Sequence, residues 1–290
     1  MIVESPIASA PPGATANTSD LPELVRFRGV TKAFGKGPTA PVAVQDVSFT
    51  VHDLPNVGEL ISIVGPSGCG KSTLLRLIAG LSPHFPPTSG ELMAFDRPIR
   101  GPGDDRGLVD QKYSLLPHLT VLENIAFGLK LRGVRPTDRS EPAREWVKKV
   151  GLEGHESKYP SQLSGGMQQR VAIAATLILK PKILLMDEPF GALDPKIRLR
   201  MQELLIQLWR EQQGTVFLVT HSVEEAVYLG DRVFRMAAKP GRLVETIQVP
   251  RPDDPPEILR QRKWFIELTR ELLHRLEQDA PAASPPAGAF

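Results

Sequence analysis

The sequence has a single cysteine, no long apolar run and no surplus of either charge. Cys69 stands alone among 290 residues, so an internal disulfide is excluded and a reducing compartment is expected. The longest mostly apolar stretch, residues 171–179, is far shorter than the roughly 18 to 20 residues of a membrane-spanning helix. The 35 basic and 33 acidic residues nearly cancel and form no block of like charge, so no nucleic-acid partner is expected.

Both ends of the chain have compositions that cannot form a core. Residues 1–22 are rich in Ala, Pro, Ser and Thr, and residues 279–290 are mostly Ala and Pro. Such segments bury too little apolar surface to offset the entropy of ordering, so both are predicted to be disordered tails. The first residues also lack the basic and apolar regions of a signal peptide, and none is expected.

Between the tails, the 41% apolar content suits one large domain or two intimate subdomains. Apolar or β-branched runs predict strands at 42–51, 60–64, 182–186 and 215–219. Helical patterns follow at 72–81, 199–212 and 223–229. Residues 112–180 carry helix-like stretches and lack strand signals, which predicts a mostly helical insertion in an α/β fold. No internal repeat is visible.

The first chemistry-bearing motif joins a predicted strand to a predicted helix. It satisfies the pattern GxxxxGK[ST] with Gly65, Pro66, Ser67, Gly68, Cys69, Gly70, Lys71 and Ser72, and Thr73 follows as a further candidate ATP-binding residue. Glycines let backbone N–H groups wrap phosphates, and the start of the helix adds partial positive charge. Lys71 is expected to reach the β- and γ-phosphates and Ser72 to ligate Mg²⁺. A glycine-rich turn with an incidental lysine is the alternative.

Two carboxylates follow the predicted strand that ends at Met186. An aspartate at this place can hold Mg²⁺ directly or through water, so Asp187 is an expected metal ligand. Glu188 is then expected to orient and polarise the attacking water. Two acids after a strand could also simply begin a loop, but the motif upstream favours a site that hydrolyses nucleotides.

A second helix start with bare backbone amides is predicted at Ser164, Gly165, Gly166 and Met167. A hydroxyl and free amides at a helix N-terminus suit the γ-phosphate of ATP. An N-cap serine with two flexible glycines before an ordinary helix is the alternative. The run 163–170, Leu-Ser-Gly-Gly-Met-Gln-Gln-Arg, resembles the signature motif of ABC ATPases, which plain P-loop kinases and GTPases lack. In ABC proteins this motif contacts the ATP of the opposite subunit.

The resemblance to ABC ATPases covers roughly residues 24–248, and the remaining motifs of the family match in order. It implies that Gln111 senses Mg²⁺ and the attacking water, that His221 contacts the γ-phosphate, and that Asp194 organises a dimer interface. Gln111 thereby joins Ser72 and Asp187 as an implied Mg²⁺ ligand. Phe34 stands where the family places an aromatic residue that stacks on adenine, although a plain core role is the alternative.

The fold implied by this resemblance is an α/β P-loop NTPase core of the RecA-like type. An antiparallel β subdomain and the helical insertion complete it, and ATP and Mg²⁺ are the implied ligands. The predicted organisation is an ATPase domain over 23–248, with the helical subdomain at about 112–180, and an amphipathic C-terminal helix over 249–278.

Three segments are similar to the cassettes of nitrate, aliphatic sulfonate and taurine importers: 101–107, 115–125 and 239–242. Two residues depart from the pattern of these importer cassettes, and both lie in the region where a permease should dock. Asp110 precedes Gln111 where an aromatic residue is usual, and His118 stands where that branch commonly has tryptophan. Both put the family's usual coupling contacts in question.

Two apolar features each have two interpretations. A cluster either forms a groove for a coupling helix of the permease or belongs to the core of its own subdomain; it comprises Leu115, Leu116, Leu119 and Val121. The C-terminal helix either packs on the chain's own catalytic core or makes a regulatory or dimer contact. Its apolar stripe is predicted at Ile258, Phe265, Leu268, Leu272 and Leu276.

The sequence therefore predicts the ATP-hydrolysing subunit of an ABC importer that takes up a small oxyanion such as nitrate, sulfonate or taurine. The expected partners are a second copy of the chain, integral-membrane permease subunits and, indirectly, a substrate-binding protein. The expected location is peripheral, at the cytoplasmic face of the inner cell membrane. A soluble ABC ATPase of DNA repair or translation is the alternative, although such proteins usually carry coiled-coil insertions or two cassettes. A non-hydrolysing scaffold is disfavoured because Glu188 and His221 are both present.

Overall fold

The computed structural model describes residues 21–37, 39–54, 57–111, 114–250 and 256–279. They divide into two compact units. The first unit comprises the described residues up to Leu54, the segment Leu60–Gly101 and the described residues from Val219 onward. The second unit comprises the described residues of Pro55–Glu59 and of Pro102–Leu218. Almost all of the two predicted tails lies outside the described residues. Within the described part, no helix combines the length and apolarity that a membrane span requires.

A four-stranded antiparallel sheet forms one part of the first unit. Its strand order is β2 (Val42–His52), β1 (Glu23–Ala33), β4 (Ser89–Ala94) and β5 (Arg97–Pro98). The rings of Phe27 on β1 and Phe49 on β2 stack with centroids 4.5 Å apart, and Phe49 meets Phe234 edge-on at 5.0 Å. This aromatic row packs the antiparallel sheet against the strand that carries Phe234.

Three further strands of the first unit lie side by side in the order β10, β9, β3. The strand β3 (Leu60–Val64) pairs in parallel with β9 (Arg232–Ala237), and β10 (Arg242–Gln248) pairs antiparallel with β9. All five residues of β3 are buried, as expected for a strand that is apolar on both faces. The helix α1 (Lys71–Ala79) follows β3, and α6 (Val223–Leu229) precedes β9.

The second unit contains the strands β6 (Arg106–Val109) and β7 (Ile183–Asp187), which pair in parallel, and β8 (Thr215–Val219), which neighbours β7 and ends at the unit boundary. Its helices are α2 (Val121–Leu131), α3 (Pro136–Lys149), α4 (Gly165–Leu177) and α5 (Pro195–Gln212), with a 3-10 turn at Pro160–Gln162. Between 114 and 182 the described residues form helices and no strand.

The C-terminal region holds two helices, α7 (Pro256–Leu259) and α8 (Lys263–Asp279). The break between them shifts the helical phase, so Ile258 is 45% exposed while its neighbour Leu259 is buried. The predicted apolar stripe is therefore wrong at Ile258, although Phe265 and Leu272 are buried as expected. Within its unit, α8 packs on α6.

An ion cluster ties α8 to β9 and β10. The Arg235 Nε lies 2.9 Å from a carboxylate oxygen of Glu245, and Arg275 contacts the other oxygen. Arg235 also pairs with Asp279, and Arg275 pairs with Glu271. Burial by itself would raise the pKa of Glu245, but hydrogen bonds from Arg275 and Arg235 outweigh it, so this pKa lies below its usual range.

Candidate functional site

The loop between β3 and α1 depends on two glycines with positive φ. Gly68 and Gly70 have φ values of 76° and 90°, in the region that favours glycine. A Cβ on Gly70 would lie 2.5 Å from Val44 Cγ1 and 2.7 Å from the Ala43 carbonyl oxygen, whereas open space surrounds Gly68. The loop therefore runs tightly against β2 at Gly70 and is unobstructed at Gly68.

The first turn of α1 suits an anion. Gly70 provides no side-chain cap, and the turn contains no acidic residue. Because the first N–H groups of a helix have no partner within the helix and carry partial positive charge, this start favours a phosphate. The Lys71 Nζ donates to the carbonyl oxygens of Gly65 at 2.8 Å and Pro66 at 3.1 Å, so its charge is held over the same loop. Burial raises the pKa of the Cys69 thiol, which packs as a neutral group.

Phe34 follows β1 in the first unit and is half-buried. Its backbone N–H donates to the Pro41 carbonyl at 3.0 Å, which fixes the turn. The His84 ring meets the Phe34 ring nearly at a right angle, with centroids 5.2 Å apart, and the Lys32 Nζ lies 5.4 Å from the Phe34 centroid. The residue is only partly buried, and the stacking on adenine that the resemblance implies stays a prediction.

His221 is exposed in the turn between β8 and α6. The Thr220 hydroxyl accepts from the Ser222 N–H at 3.1 Å, and the Ser222 hydroxyl caps α6 by accepting from the Glu225 N–H at 3.2 Å. The Thr220 N–H donates to Ile63 at 3.2 Å, close to the end of β3. Thr220 and Ser222 thus position the histidine. Sequence reasoning missed both, although a hydroxyl residue just before an apolar helical run is a usual N-cap signal.

Two predicted catalytic side chains of the second unit meet. Gln111 comes shortly after β6 and Glu188 directly after β7, and these parallel strands end at the same edge. The Gln111 Nε2 donates to the Glu188 Oε2 at 3.1 Å. Glu188 has a φ of 51°, which is uncommon for a residue with a side chain and concentrates at functional sites. Asp187, at the end of β7, is buried.

Asp110, which stands where an aromatic residue is usual, has a local structural role. Its carboxylate accepts a hydrogen bond from the Gln111 backbone N–H at 2.8 Å. A short acidic side chain thereby shapes the backbone from which the Gln111 amide extends. The usual aromatic residue could not make this hydrogen bond.

The residues of the predicted signature form the start of α4. The Ser164 hydroxyl caps the helix by accepting from the Met167 N–H at 3.4 Å, so the predicted capping alternative is also met. A Cβ on Gly166 would lie 2.7 Å from the Ile197 Cγ2 of α5, which explains why this position is glycine. Ser164 and Gly165 are exposed.

Gln168 is a further positioning residue for this loop that sequence reasoning missed. Its Nε2 donates to the carbonyl oxygens of Pro160 at 2.9 Å and Leu163 at 3.2 Å. These contacts hold the segment directly before Ser164, which leads into the signature motif. Gln168 is the first of the two glutamines in the run, and its partners come from tertiary structure.

Asp194 begins α5. Its Oδ1 accepts from the Ile197 N–H at 3.1 Å, an ordinary N-cap. The carboxylate is exposed, so the interface role that the resemblance implies stays a prediction.

The apolar cluster after Gln111 is divided between core and surface. Val121 is buried, whereas Leu115, Leu116 and Leu119 are half-buried and His118 is exposed. Asn124, a buried residue of α2, holds this segment through its side-chain amide. Its Nδ2 donates to the carbonyl oxygens of Leu116, Leu119 and Thr120. Its Oδ1 accepts from the Leu116 N–H. Sequence reasoning missed Asn124, because a lone asparagine in a helix gives no signal of its partners.

The candidate metal ligands have the chemistry that Mg²⁺ prefers. Ser72 offers a hydroxyl, Asp187 a carboxylate and Gln111 an amide oxygen, all hard oxygen donors. With the Gln111 nitrogen donating to Glu188, its oxygen is the end suited to a cation or a water. By its chemistry, each of the three residues therefore suits Mg²⁺.

Comparison with known proteins identifies the family. A family model described as ABC transporter matches residues 44–191, about half of the chain. The aliphatic sulfonates import ATP-binding protein of Bacillus licheniformis is 46% identical over 221 residues, which cover 76% of this chain and 83% of that protein. The chain belongs to the ABC transporter family.

Two further relatives and one solved structure agree with this family assignment. The nitrate import ATP-binding protein of Synechocystis sp. is 46% identical over 73% of this chain and 77% of its own length. The taurine import ATP-binding protein of Escherichia coli is 47% identical over 71% and 78%. A solved ATP-binding cassette in a dimeric post-hydrolysis state, bound to ADP and phosphate, is similar with a TM-score of 0.67 and 34% identity, over 79% of this chain and 100% of that chain.

This ABC protein is an ATPase and the ATP-binding subunit of an importer. The predicted fold class, an α/β P-loop core with an antiparallel β subdomain and a helical insertion, is confirmed. The resemblance to the nitrate, sulfonate and taurine branch is confirmed by the three relatives.

Proposed function

We propose that this chain powers the import of a small oxyanion such as nitrate, a sulfonate or taurine, by hydrolysing ATP beneath a separate permease. The observation that carries the hydrolytic part is the hydrogen bond from Gln111 to Glu188, because it links a water-orienting carboxylate to a cation-binding amide. The names of the relatives support the class of cargo.

The proposed catalytic residues position groups and stabilise charge. Phosphoryl transfer to water needs little covalent chemistry, since its transition state is loose and its charge spreads over the phosphoryl oxygens. Glu188 orients and polarises the attacking water. Lys71 and His221 offset charge on the γ-phosphate, and Gln111 orients the same water through its amide.

ATP is held mainly through backbone amides of the phosphate-binding loop. Its proposed contacts are Gly65, Pro66, Ser67, Gly68, Cys69, Gly70, Lys71, Ser72 and Thr73. Phe34 stacks on the adenine. Ser72, Gln111 and Asp187 hold Mg²⁺, which when bound neutralises charge on the β- and γ-phosphates.

Two copies of the chain are proposed to sandwich two ATP molecules. In this arrangement Ser164, Gly165, Gly166 and Met167 of each copy contact the nucleotide bound to the other, and Asp194 lines the interface. A ligand shifts an equilibrium only by its differential affinity, and the signature contact, made only when the dimer is closed, supplies that difference. The dimeric cassette among the solved structures supports this proposal.

The remaining partners are permease subunits and, indirectly, a substrate-binding protein, and the proposed location is the cytoplasmic face of the inner cell membrane. The half-buried leucines 115, 116 and 119 are the proposed docking groove for a permease helix. The alternative, a soluble ATPase of DNA repair or translation, is not favoured by relatives that are import proteins.

A purification from native membranes in mild detergent tests the assembly. The full chain should recover a permease with several membrane spans together with ATPase activity. Recovery of soluble, ribosomal or DNA-bound partners alone would overturn the transporter proposal.

The cargo class is tested by uptake in the native cells. Radiolabelled nitrate, taurine and an alkyl sulfonate are offered to cells that carry either the natural chain or Glu188→Gln. Loss of uptake of one of the three in the variant identifies the cargo. Unchanged uptake of all three rejects the oxyanion proposal and leaves the hydrolytic one standing.

A further inference from the structure

The loop after α1 lies beside Phe34 in the first unit and is fastened there by backbone and side-chain hydrogen bonds. The Thr88 N–H donates to the Thr31 carbonyl at 2.8 Å, and the Thr88 hydroxyl accepts from the Ala33 N–H at 2.9 Å. A residue of β1, Lys32, donates from Nζ to the Pro86 carbonyl at 2.8 Å. These three contacts hold residues 84–88 against the end of β1.

Two side chains in this region contact the Phe34 ring. The His84 ring stands at 85° to it with the centroids 5.2 Å apart, an edge-to-face arrangement. The Lys32 Nζ lies 5.4 Å from the Phe34 centroid, within the range of a cation–π contact. Lys32 is only 8% exposed, and burial lowers its pKa. Two side chains thereby contact the Phe34 ring, and the residue as a whole remains half-buried.

We propose that His84 and Lys32 are positioning residues for the nucleotide base, acting through the ring of Phe34. The inference rests on the proposed role of Phe34 as the ring that stacks on adenine. A ring whose orientation is fixed before binding loses less conformational freedom when the base arrives, so affinity rises without any new contact to the ligand. The loop at 84–88 is then part of the base-binding site.

This arrangement predicts a base-selective effect. The P-loop residues that hold the phosphates are untouched by changes at His84, so a ligand with phosphates and no base should bind as before. Inorganic tripolyphosphate is such a ligand. Aromatic pair energies correspond to about a twofold to tenfold change in affinity, which sets the size of the expected effect for ATP.

The experiment compares ATP with tripolyphosphate as competitors against a fluorescent ATP analogue bound to the full chain. We expect His84→Ala to weaken ATP about twofold to tenfold and to leave tripolyphosphate unchanged, with kcat for ATP hydrolysis unaltered and KM raised. His84→Phe should restore ATP affinity because it can keep an edge-to-face contact. Lys32→Met, which retains the aliphatic packing and removes the charge, should show the same selective loss. Ser82→Ala, an exposed neighbour, is the matched control.

Two outcomes for His84→Ala overturn the inference. Equal weakening of ATP and tripolyphosphate would mean that His84 supports the fold and not the base. No weakening of either would mean that Phe34 needs no such support. A loss that His84→Phe fails to restore would also reject the edge-to-face contact as its cause.

Two further variants separate this inference from the proposed function. Lys71→Ala should weaken both competitors, and if it weakens neither, the proposed phosphate site fails. Phe34→Ala should weaken ATP alone, and if it does not, the proposed adenine contact fails and the inference with it. If Phe34→Ala is selective while His84→Ala is silent, the inference alone is wrong.

Discussion

The side-chain amide of Gln111 donates a hydrogen bond to the carboxylate of Glu188, with 3.1 Å between Nε2 and Oε2. Gln111 also leads into the segment that Asn124 fastens to α2, and this segment carries the proposed docking leucines. The chain thus places a proposed docking segment shortly after a side chain that contacts the proposed catalytic carboxylate.

The first prediction concerns Glu188→Gln. The amide oxygen of the new side chain can still accept from Gln111, but it cannot polarise water as a carboxylate does. We expect kcat to fall at least about 100-fold while ATP affinity is retained. ATP-dependent closed dimers should accumulate, as measured by size-exclusion chromatography with and without ATP. Glu203→Gln on the exposed face of α5 is the control, and undiminished turnover in Glu188→Gln would remove Glu188 from its proposed role.

A double-mutant cycle tests whether Gln111 acts through Glu188. Gln111→Ala should lower kcat about fivefold, the worth of one hydrogen bond near 1 kcal/mol. In a Glu188→Ala background, which lacks the acceptor that Glu188→Gln keeps, the same change should cost much less, because residues that act as a unit are not additive. Single-turnover kinetics of the four proteins measure the coupling. Strict additivity would show that the two side chains act independently.

The local patterns predicted most of the site-bearing elements. The apolar runs at 60–64 and 215–219 are strands with those bounds, and the helix predicted at 199–212 begins only four residues earlier, at Pro195. The two strands are predictable because burial on both faces requires a nearly continuous run of apolar residues. The contacts of Asn124 and Gln168 could not be predicted, since their partners come from the folded chain.

Two other features could not be predicted from the sequence. The break between α7 and α8 contains no proline or glycine. The sequence pattern therefore predicts one continuous apolar stripe along a single helix. The positive φ of Glu188 also has no signal in composition, because glutamate rarely adopts it. Strain of this kind is imposed by the surrounding fold.

A pair of glycine substitutions tests the geometry of the phosphate-binding loop. Gly68→Ala and Gly70→Ala both carry the cost of placing a side chain at positive φ, about 1–2 kcal/mol. Only Gly70→Ala also forces a methyl group against Val44 and the Ala43 carbonyl. We expect Gly70→Ala to lower the thermal midpoint and the ATP affinity clearly more than Gly68→Ala. Equal effects would contradict the close approach to β2.

The last prediction concerns pH and the ion cluster at Glu245. Its folded-state pKa is lowered from an ordinary value of 4.5, so its contribution to stability is complete above that value and is lost as the pH falls through the folded pKa. Glu245→Gln removes the charge between Arg235 and Arg275. At pH 7 we expect a loss of about 2–3 kcal/mol, below the usual cost of breaking a fully buried pair because Arg275 is 28% exposed.

Urea unfolding of the natural chain and of Glu245→Gln, repeated from pH 7 down to pH 3, measures this contribution. The difference between the two proteins should be constant near neutrality and should begin to shrink below about pH 4.5, because the unfolded chain then binds a proton at Glu245 while the folded carboxylate, with its lowered pKa, stays charged until the pH falls further. Glu267→Gln, which breaks an exposed pair with Lys263, should change stability by less than about 0.5 kcal/mol at every pH. A Glu245 difference that does not vary with pH would mean that packing, and not charge, holds α8 to β9 and β10.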